Sequence, residues 1–293
     1  MILVDDKNYL RTRECAKGLE HLQFIDRAEL FDRLPGLTSV EAVLHLGACT
    51  DTGQTDTAYM ETWNTGYTQH LWRWCAEKAI PFVYASSAAT YGRGEQGYSD
   101  DHTLVTRLRP LNLYGRSKHD VDCWALQESR TPPAWHGIKF FNVYGPGENH
   151  KNRMASTIYH GFHEIQNTGK MTLFQSHRDD IPDGQQKRDF VFVDDAVQLC
   201  LFCLERKPAS GLYNCGTGHA RSFLDLAHAL FRAMGVGPNI EWVPTPERFR
   251  DGYQYFTQAD MSKASNAGYG TASTSLEEGV ARYVRWLRER PGI

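Results

Sequence analysis

The 293-residue chain contains 41% hydrophobic and 23% charged residues, a composition that supports a buried core and excludes a disordered protein. Its net charge of −3, from 32 basic and 35 acidic residues, excludes the strongly basic surface expected of a nucleic-acid-binding protein. No apolar run approaches the roughly 20 residues of a membrane span, and the first residues lack the charge order of a signal peptide. Seven scattered cysteines are typical of a reducing compartment, so a cytoplasmic location is expected.

Strand-like apolar runs alternate with helical segments along the chain. Strands are predicted at residues 2–4, 40–48, 81–87, 136–143, 188–193, 211–218 and 239–243. Helices are predicted at 59–78, 112–129, 222–234 and 275–289, and Asp194 is predicted to cap a further helix. This alternation predicts an α/β fold with a Rossmann-like, doubly wound parallel sheet. Irregular loops after residue 143 predict a smaller interleaved substrate domain (144–184 and 220–293) beside a dinucleotide-binding domain (1–143 and 185–219).

Two carboxylates, Asp5 and Asp6, directly follow the first apolar run. The second strand of a nucleotide-binding α/β domain ends on such an acid, which binds a ribose hydroxyl of the adenosine. In that arrangement a strand and a GxGxxG turn come first, and no GxGxxG motif precedes Asp5 in this sequence. Met1 is therefore either a misassigned start or the mark of a real loss, and loss of a central strand would leave unpaired strand edges.

One tyrosine of the fourteen, Tyr114, has a lysine four residues later, Lys118. On a helix this spacing places both side chains on one face. The ammonium is expected to lower the pKa of the phenol, which makes the tyrosine a general base near neutral pH. Ser87 ends a predicted buried strand 27 residues earlier, at the sheet edge where open α/β folds bind ligands. The three residues together predict a catalytic site for a substrate hydroxyl or carbonyl.

Two other residue pairs have the spacing of metal ligands. Cys200 and Cys203 lie in an apolar segment that indicates a buried helix face, so they are interpreted as core residues. His160 and His163 have no acidic or cysteine partner nearby in the sequence. No metal site is predicted.

Five stretches resemble, in order, the extended short-chain dehydrogenase/reductases that act on nucleotide sugars: YASSAATYG, YGRSK, FNVYGPG, KRDFVFVDDAV and YNCGTG. HLGACTDT, GPGENHKNRMAS and GYQYFTQAD resemble the ADP-L-glycero-D-manno-heptose 6-epimerase family within that superfamily. The resemblance implies an isomerase that inverts C6 of an ADP-heptose substrate with NADP, through a transient 6-keto intermediate. It also implies a homo-oligomer whose product enters lipopolysaccharide core biosynthesis.

The resemblance further implies roles for individual residues. Tyr114 is the implied acid/base with Lys118 as its partner, Ser87 completes the triad, and Lys151 is a second acid/base. The implied cofactor contacts are Asp5, Asp6, Gly47, Ala48, Cys49, Thr50, Asn64, Tyr114, Lys118, Val143 and Lys151. The implied substrate contacts are Asn142, Arg153, His160, Phe174, Gln175, Ser176, His177, Arg188 and Tyr253.

Alternatives remain for the reaction and for the cofactor. The chain could be another nucleotide-sugar epimerase, or a remnant that binds sugar nucleotide without catalysis because it lacks the glycine turn. A 4,6-dehydratase is disfavoured, since Ala88 and Ala89 follow Ser87 where an acidic pair is needed to eliminate water. Asp5 favours NAD by repelling a 2′-phosphate, whereas Lys7, Arg11 and Arg13 can offset that repulsion and the resemblance favours NADP.

Overall fold

Parallel strands dominate the computed structural model, which describes residues 1–7, 18, 19, 22–250, 252–270 and 274–290. In chain order the strands are β1 (Ile2–Asp5), β2 (Gln23–Asp26), β3 (Val43–His45), β4 (Phe82–Ser87), β5 (Trp135–Phe140), β6 (Asn142–Tyr144), β7 (Met171–Phe174), β8 (Lys187–Arg188), β9 (Phe190–Phe192), β10 (Gly211–Cys215), β11 (Arg221–Ser222) and β12 (Ile240–Val243). A four-stranded parallel sheet has the order β10–β5–β4–β3. The pairs β1–β2, β6–β9 and β7–β12 are parallel, and β8–β11 is antiparallel.

Helices connect these strands, and several begin at a side chain that caps the free backbone N–H groups. The helices are α1 (Leu30–Arg33), α2 (Thr57–Met60), α3 (Tyr67–Lys78), α4 (Leu113–Ala125), α5 (Thr157–Thr168), α6 (Val193–Arg206), α7 (Phe223–Met234), α8 (Glu247–Arg250), α9 (Ser262–Asn266) and α10 (Leu276–Arg288). A π-helical stretch, Glu61–Gly66, joins α2 to α3. The side chains of Asp56, Asn112, Ser156 and Ser222 cap α2, α4, α5 and α7.

Apolar cores cover both faces of the four-stranded sheet. On β4, Phe82 belongs to one core with Trp72 of α3, whereas its neighbour Val83 belongs to a second core with Leu199 of α6. Successive strand residues point to opposite faces, so a continuous apolar run is what a strand between two helical layers requires. The predicted doubly wound α/β fold is therefore confirmed. A third core joins α5, α7 and α10 in the second half of the chain.

The structure corrects several element boundaries. The strand predicted at 136–143 divides at Phe141, whose N–H donates to Cys215 O (3.0 Å) while the next residue, Asn142, donates to Asp189 O (3.0 Å). The chain thus changes neighbour from β10 to β9, which the apolar pattern does not reveal. The predicted cap at Asp194 is wrong, because α6 begins at Val193 and places Asp194 in its first turn, where it pairs with Arg282.

The strand predicted at 40–48 is confirmed only over β3, and it lies at an edge of its sheet. Within the described ranges, β1 and β3 each have one neighbouring strand and one edge without a strand partner. Val4 and Leu44 on these strands are 39% and 41% exposed. Ile2 and Val43 nevertheless pack against the same apolar core, so both strands belong to one body. No helix in the described part of the chain is long and apolar enough to cross a membrane.

Candidate active site

Ser87 is held at the carboxyl end of β4 by the turn that follows it. It caps a 3-10 turn, Ala88–Tyr91, and its Oγ accepts a hydrogen bond from Ala89 N (3.1 Å). The Thr90 hydroxyl donates to the Ser87 carbonyl (2.8 Å). Because both the hydroxyl and the carbonyl of Ser87 are engaged locally, the side chain has a fixed position at the sheet edge.

Helix α4 brings Tyr114 against this turn. Asn112 caps the helix by accepting a hydrogen bond from Gly115 N (2.7 Å). A Cβ atom at Gly115 would lie 2.9 Å from Ala89 O, so only glycine allows this close approach of helix and turn. The Ser87 side chain lies close enough to the Tyr114 phenol to lower its pKa. The structure thus joins the serine and tyrosine that the sequence placed at one site.

Lys118 lies one turn further along α4 and is buried. Its Nζ donates to Ala85 O on β4 (2.8 Å). Burial lowers the pKa of Lys118 to about 8, while the carboxylate of Asp122 acts in the opposite direction. An ammonium has three N–H donors, so the contact with Ala85 leaves capacity for a ligand hydroxyl.

The pKa of Tyr114 shifts in the direction opposite to the one that the sequence predicted. Burial raises the pKa of the phenol, and the nearby Ser87 side chain offsets only part of that effect. The prediction from the lysine four residues away was therefore wrong in sign. Spacing on a helix indicates that two residues share a face, but desolvation of the phenol depends on the surrounding packing.

Asn64 anchors the segment Gly47–Thr50, which follows β3. Its Oδ1 accepts a hydrogen bond from Cys49 N (2.8 Å), and its Nδ2 donates to Cys49 O and to Ser117 Oγ (both 3.0 Å). The Asn64 side chain therefore joins this segment to α4 beside Tyr114. Gly47 faces open space, since a Cβ atom there would meet no atom within 4 Å. Ala48, Cys49 and Thr50 follow it along this surface.

Lys151 lies on an exposed 3-10 segment, Asn149–Met154. Glu148, directly before this segment, is buried and accepts hydrogen bonds from Ser156 N (2.7 Å) and Ser156 Oγ (2.5 Å). Arg153 forms an ion pair with Asp51 (2.5 Å), two residues after Cys49. This pair connects the Lys151 segment to the Gly47–Thr50 side of the Tyr114 site.

A second group of predicted residues lies around a buried arginine. Arg188 is 8% exposed, and within the described residues no carboxylate lies within 4.0 Å of its guanidinium. Burial lowers its pKa, and its guanidinium carbon lies 5.5 Å from the ring centres of Tyr253 and Phe223. An arginine buried without a counter-charge is suited to bind an anion.

Tyr255, which the sequence reading missed, fixes the neighbouring loop after β7. Its hydroxyl accepts from His177 N (2.9 Å) and lies 3.2 Å from Ser176 Oγ. The His177 ring also contacts the Tyr253 ring, with centres 5.8 Å apart. The ring centres of Tyr253 and Tyr255 lie 5.2 Å apart, and the spacing of two tyrosines in GYQYFTQAD was the signal available in the sequence.

The remaining predicted residues lie at several places. Asn142 and Val143 form β6, Phe174 ends β7, and Gln175 N donates to Val243 O (2.8 Å).

Asp5 and Asp6 lie at the end of β1, with the Asp6 carboxylate 3.7 Å from the Arg27 guanidinium. His160 is exposed on α5, and its ring contacts Tyr159 rather than another predicted site residue. Cys200 and Cys203 are buried core residues as predicted, and the described residues contain no cluster suited to hold a metal ion.

A doubly wound α/β sheet with serine, tyrosine and lysine at the carboxyl end of one strand defines a class of nucleotide-dependent enzymes that act on hydroxyl and carbonyl groups. The model of the NAD dependent epimerase/dehydratase family matches residues 1–216. The chain belongs to this family of enzymes.

Curated relatives are similar over nearly the whole chain. An ADP-L-glycero-D-manno-heptose-6-epimerase of Fusobacterium nucleatum is 44% identical over 277 residues, which cover 91% of this chain and 83% of the relative. One of Nitratidesulfovibrio vulgaris is 42% identical over 293 residues, which cover 97% of this chain and 89% of the relative. The predicted resemblance to this group of epimerases is confirmed.

Solved structures share the fold. The Helicobacter pylori ADP-L-glycero-D-manno-heptose-6-epimerase has a TM-score of 0.78 at 23% identity, covering 93% of this chain and 81% of that chain. The Bacillus cereus UDP-glucuronic acid 4-epimerase, in complex with UDP-glucuronic acid and NAD, also has a TM-score of 0.78 at 23% identity, covering 98% and 90%. At this identity the likeness concerns the fold.

The family implies a nicotinamide cofactor, and the groups along this edge fit one. The buried Lys118 ammonium has donor capacity beyond Ala85, and the partly exposed Tyr114 lies four residues earlier on the same face of α4. Gly47 presents open space next to them. Hydroxyl-binding donors beside an open backbone segment are the chemistry that a nicotinamide ribose requires.

Proposed function

We propose that this chain is an ADP-L-glycero-D-manno-heptose 6-epimerase that interconverts ADP-D-glycero-D-manno-heptose and its L-glycero epimer. The observation that carries the proposal is the 44% identity to a relative of that name over 91% of the chain. The arrangement of the triad supports it, because Ser87 lies beside Tyr114 at the sheet edge and Lys118 lies on the same face of the helix as Tyr114. The reaction takes place in the cytoplasm under this proposal, as the cysteine usage suggests.

Tyr114 is the proposed acid/base at the substrate C6 hydroxyl. Its hydroxyl exchanges a proton with the C6 oxygen, and Ser87 orients that oxygen by hydrogen bonding. The bound nicotinamide cofactor supplies the hydride acceptor and donor that a reversible oxidation at C6 needs. Lys118 would hold the nicotinamide ribose and keep positive charge beside the phenol.

Lys151 is proposed as a second proton-transfer group. Inversion at C6 requires that the substrate 6-ketone present first one face and then the other. A proton donor on the opposite side from Tyr114 serves the oxygen in the second orientation. The ion pair of Arg153 with Asp51 supports a place for Lys151 at this site, because it connects the Lys151 segment to the Gly47–Thr50 segment.

Arg188 is proposed to bind the pyrophosphate of the sugar nucleotide. Its guanidinium is buried and lies beside the rings of Tyr253 and Phe223, an environment that strengthens attraction for an anion. His177 and Tyr253 would border the same ligand. The other proposed substrate contacts, Asn142, Arg153, His160, Phe174, Gln175 and Ser176, come from the sequence resemblance.

NADP is the proposed cofactor, with NAD as the alternative. Asp5 and Asp6 by themselves would repel a 2′-phosphate and favour NAD. Arg27 supports NADP, because its guanidinium lies 3.7 Å from the Asp6 carboxylate and offsets its charge. Lys7 contributes less, since its ammonium pairs with Glu29 (2.7 Å), and Arg11 and Arg13 lie outside the described residues.

The test begins with the cofactor content of the purified chain. Protein is denatured, and the supernatant is assayed for NADP(H) and NAD(H). The chain is then incubated with ADP-D-glycero-D-manno-heptose and each cofactor, and the two epimers are separated by chromatography. We expect a mixture of both epimers with NADP. UDP-glucose and UDP-glucuronic acid serve as comparison substrates: conversion of either one without conversion of the ADP-heptose would assign a different epimerase.

A further inference from the structure

A buried ion pair lies beneath the triad, between two side chains that have no part in the proposed chemistry. Asp122 follows Lys118 by four residues on α4, and Lys139 lies on β5. Lys139 Nζ is 2.5 Å from Asp122 Oδ2, and both side chains are fully buried.

Every polar atom of this pair has a further partner on a strand or turn of the site. Asp122 Oδ1 accepts from the Tyr84 hydroxyl (3.0 Å), and Asp122 Oδ2 also accepts from Ser86 Oγ (2.7 Å). Lys139 Nζ donates to Thr90 Oγ1 (2.7 Å). Ser86 and Lys139 are also direct neighbours in the β4–β5 register.

These contacts form one network with the triad. Residues 84 and 86 bind Asp122, while the carbonyl of residue 85 between them accepts the hydrogen bond of Lys118. On the other side, Thr90 binds Lys139 and also donates to the Ser87 carbonyl. The Lys139 ammonium therefore bonds both the helix of Tyr114, through Asp122, and the turn of Ser87, through Thr90.

Stability alone does not explain a pair of charges at this position. Two ions taken out of water lose hydration energy that their mutual attraction roughly balances, and apolar residues of similar volume often stabilise a fold as well. A fully hydrogen-bonded buried pair instead fixes the geometry of the elements that it joins.

We infer that the Asp122–Lys139 ion pair is a positioning device that holds α4 and the Ser87 turn in register, so that Tyr114, Lys118 and Ser87 meet one substrate oxygen. The expected effect of the ion pair on turnover rests on the proposed function, whereas its expected effect on the hydrogen exchange of α4 does not. Both residues act through others and touch no reacting atom.

The decisive variant is the neutral double substitution Asp122→Asn with Lys139→Met. It leaves no buried charge unpaired, and the asparagine can still accept from Tyr84 and donate to Ser86. Lys139→Met alone leaves the Asp122 carboxylate buried without its counter-charge and is expected to lower the melting temperature strongly. Lys139→Arg keeps both the charge and the hydrogen-bond donors and is the conservative variant.

Lys263→Met is the matched control. Lys263 is also a largely buried lysine, and its Nζ binds His102 Nε2 (2.9 Å) and Leu212 O (2.8 Å) on β10 rather than α4. The control shows what the loss of a buried lysine does by itself.

Two measurements are made on each variant, at a temperature that lies the same number of degrees below the melting temperature of that variant. Amide hydrogen exchange is followed for peptides from α4 and β4, and kcat and KM are measured with the ADP-heptose. We expect the double variant to regain thermal stability relative to Lys139→Met, to exchange α4 amides at least about tenfold faster than the parent, and to lose about tenfold in kcat with little change in KM. Lys139→Arg is expected to retain parental exchange and kcat.

Parental exchange of α4, or parental kcat, in the folded double variant would overturn the inference, because the pair would then contribute only stability. If the parent chain does not convert the ADP-heptose, the proposed function fails and the hydrogen-exchange comparison alone decides the inference.

Discussion

The two proposed proton-transfer groups are held in very different ways. Tyr114 lies on α4, which is fixed to β4 through Lys118 and through the buried Asp122–Lys139 pair. Lys151 lies on an exposed 3-10 segment whose main ties are the Glu148 anchor at one end and the Arg153–Asp51 ion pair on the outside.

This difference shows which of the two residues is held more precisely in the site. The tyrosine side is surrounded by buried hydrogen bonds, which are costly to break. The lysine side depends on an ion pair whose arginine is 73% exposed, and such pairs contribute little and weaken in salt. Under the proposed function, a rigidly held acid/base would therefore act together with an adaptable one, which suits a substrate ketone that must reorient between two proton transfers.

Loss of the rigid group is expected to have the largest effect. Tyr114→Phe keeps the ring and removes the hydroxyl that transfers the proton, so kcat should fall by about 1,000-fold or more. Calorimetric titration with ADP-heptose should give a dissociation constant close to that of the parent. Tyr59→Phe, on α2 outside the site, is the control. Turnover of Tyr114→Phe at the parental rate would remove the tyrosine from the mechanism.

Loss of the adaptable group is expected to be somewhat less severe. Lys151→Met removes the second proton donor, and kcat should fall by about 100-fold while unfolding stays unchanged, because the side chain is exposed. Lys170→Met is the matched control, since Lys170 is an exposed lysine paired with Glu241 (3.2 Å) far along the chain. Equal activities of the two variants would return Lys151 to the status of a solvated surface residue.

The burial of Lys118 on the tyrosine side of the site should also affect how the free energy of unfolding depends on pH. The pKa of Lys118 is about 8 in the fold against an ordinary 10.5, so between these pH values the unfolded chain binds the additional proton. The free energy of unfolding should therefore rise with pH across this window, by about 3 kcal/mol in total. Denaturant titrations of cofactor-free parent and Lys118→Met at several pH values measure it. The prediction fails if the difference between the two proteins is independent of pH.

The smallest effect is expected at the exposed ion pair. Arg153→Ala should lower the free energy of unfolding by less than about 1 kcal/mol, and kcat should change by no more than a few-fold. In the parent, raising the salt concentration should reproduce the change in kcat, because salt screens the same pair. A strong loss of substrate affinity with unchanged salt dependence would instead support the substrate contact that the sequence resemblance gives to Arg153.

The sequence predicted the parts of this site that depend on local spacing. Ser87 at a strand end and Tyr114 four residues before Lys118 follow from periodicity, and the fold confirms their proximity. The raised pKa of Tyr114 could not be predicted from the sequence, because it depends on burial by residues that are distant in the chain. Asp122 carried a local signal that went unused, since it stands four residues after Lys118 on the same helix face.

Contacts between residues far apart in the sequence were the second feature that could not be predicted. The pairing of Lys139 with Asp122 joins β5 to α4, and the division of the strand at Phe141 depends on which neighbour each half finds. Apolar runs predict that a strand exists but do not specify its neighbours. The assignment of two domains stays a prediction.

The π-helical stretch Glu61–Gly66 fixes the length of the chain before α3. A π turn accommodates one residue more than an α turn, so the stretch behaves as an insertion that the helix has absorbed. Deletion of a single residue there would restore α geometry and leave α2 and α3 in nearly the same rotational phase, because only the absorbed residue is removed. Leu71 and Trp72 on α3 would stay buried, whereas Asn64 inside the stretch would be displaced from its contact with Cys49. In alignments, this stretch is therefore a place where related chains can differ by one residue in length while the packing of α3 is kept.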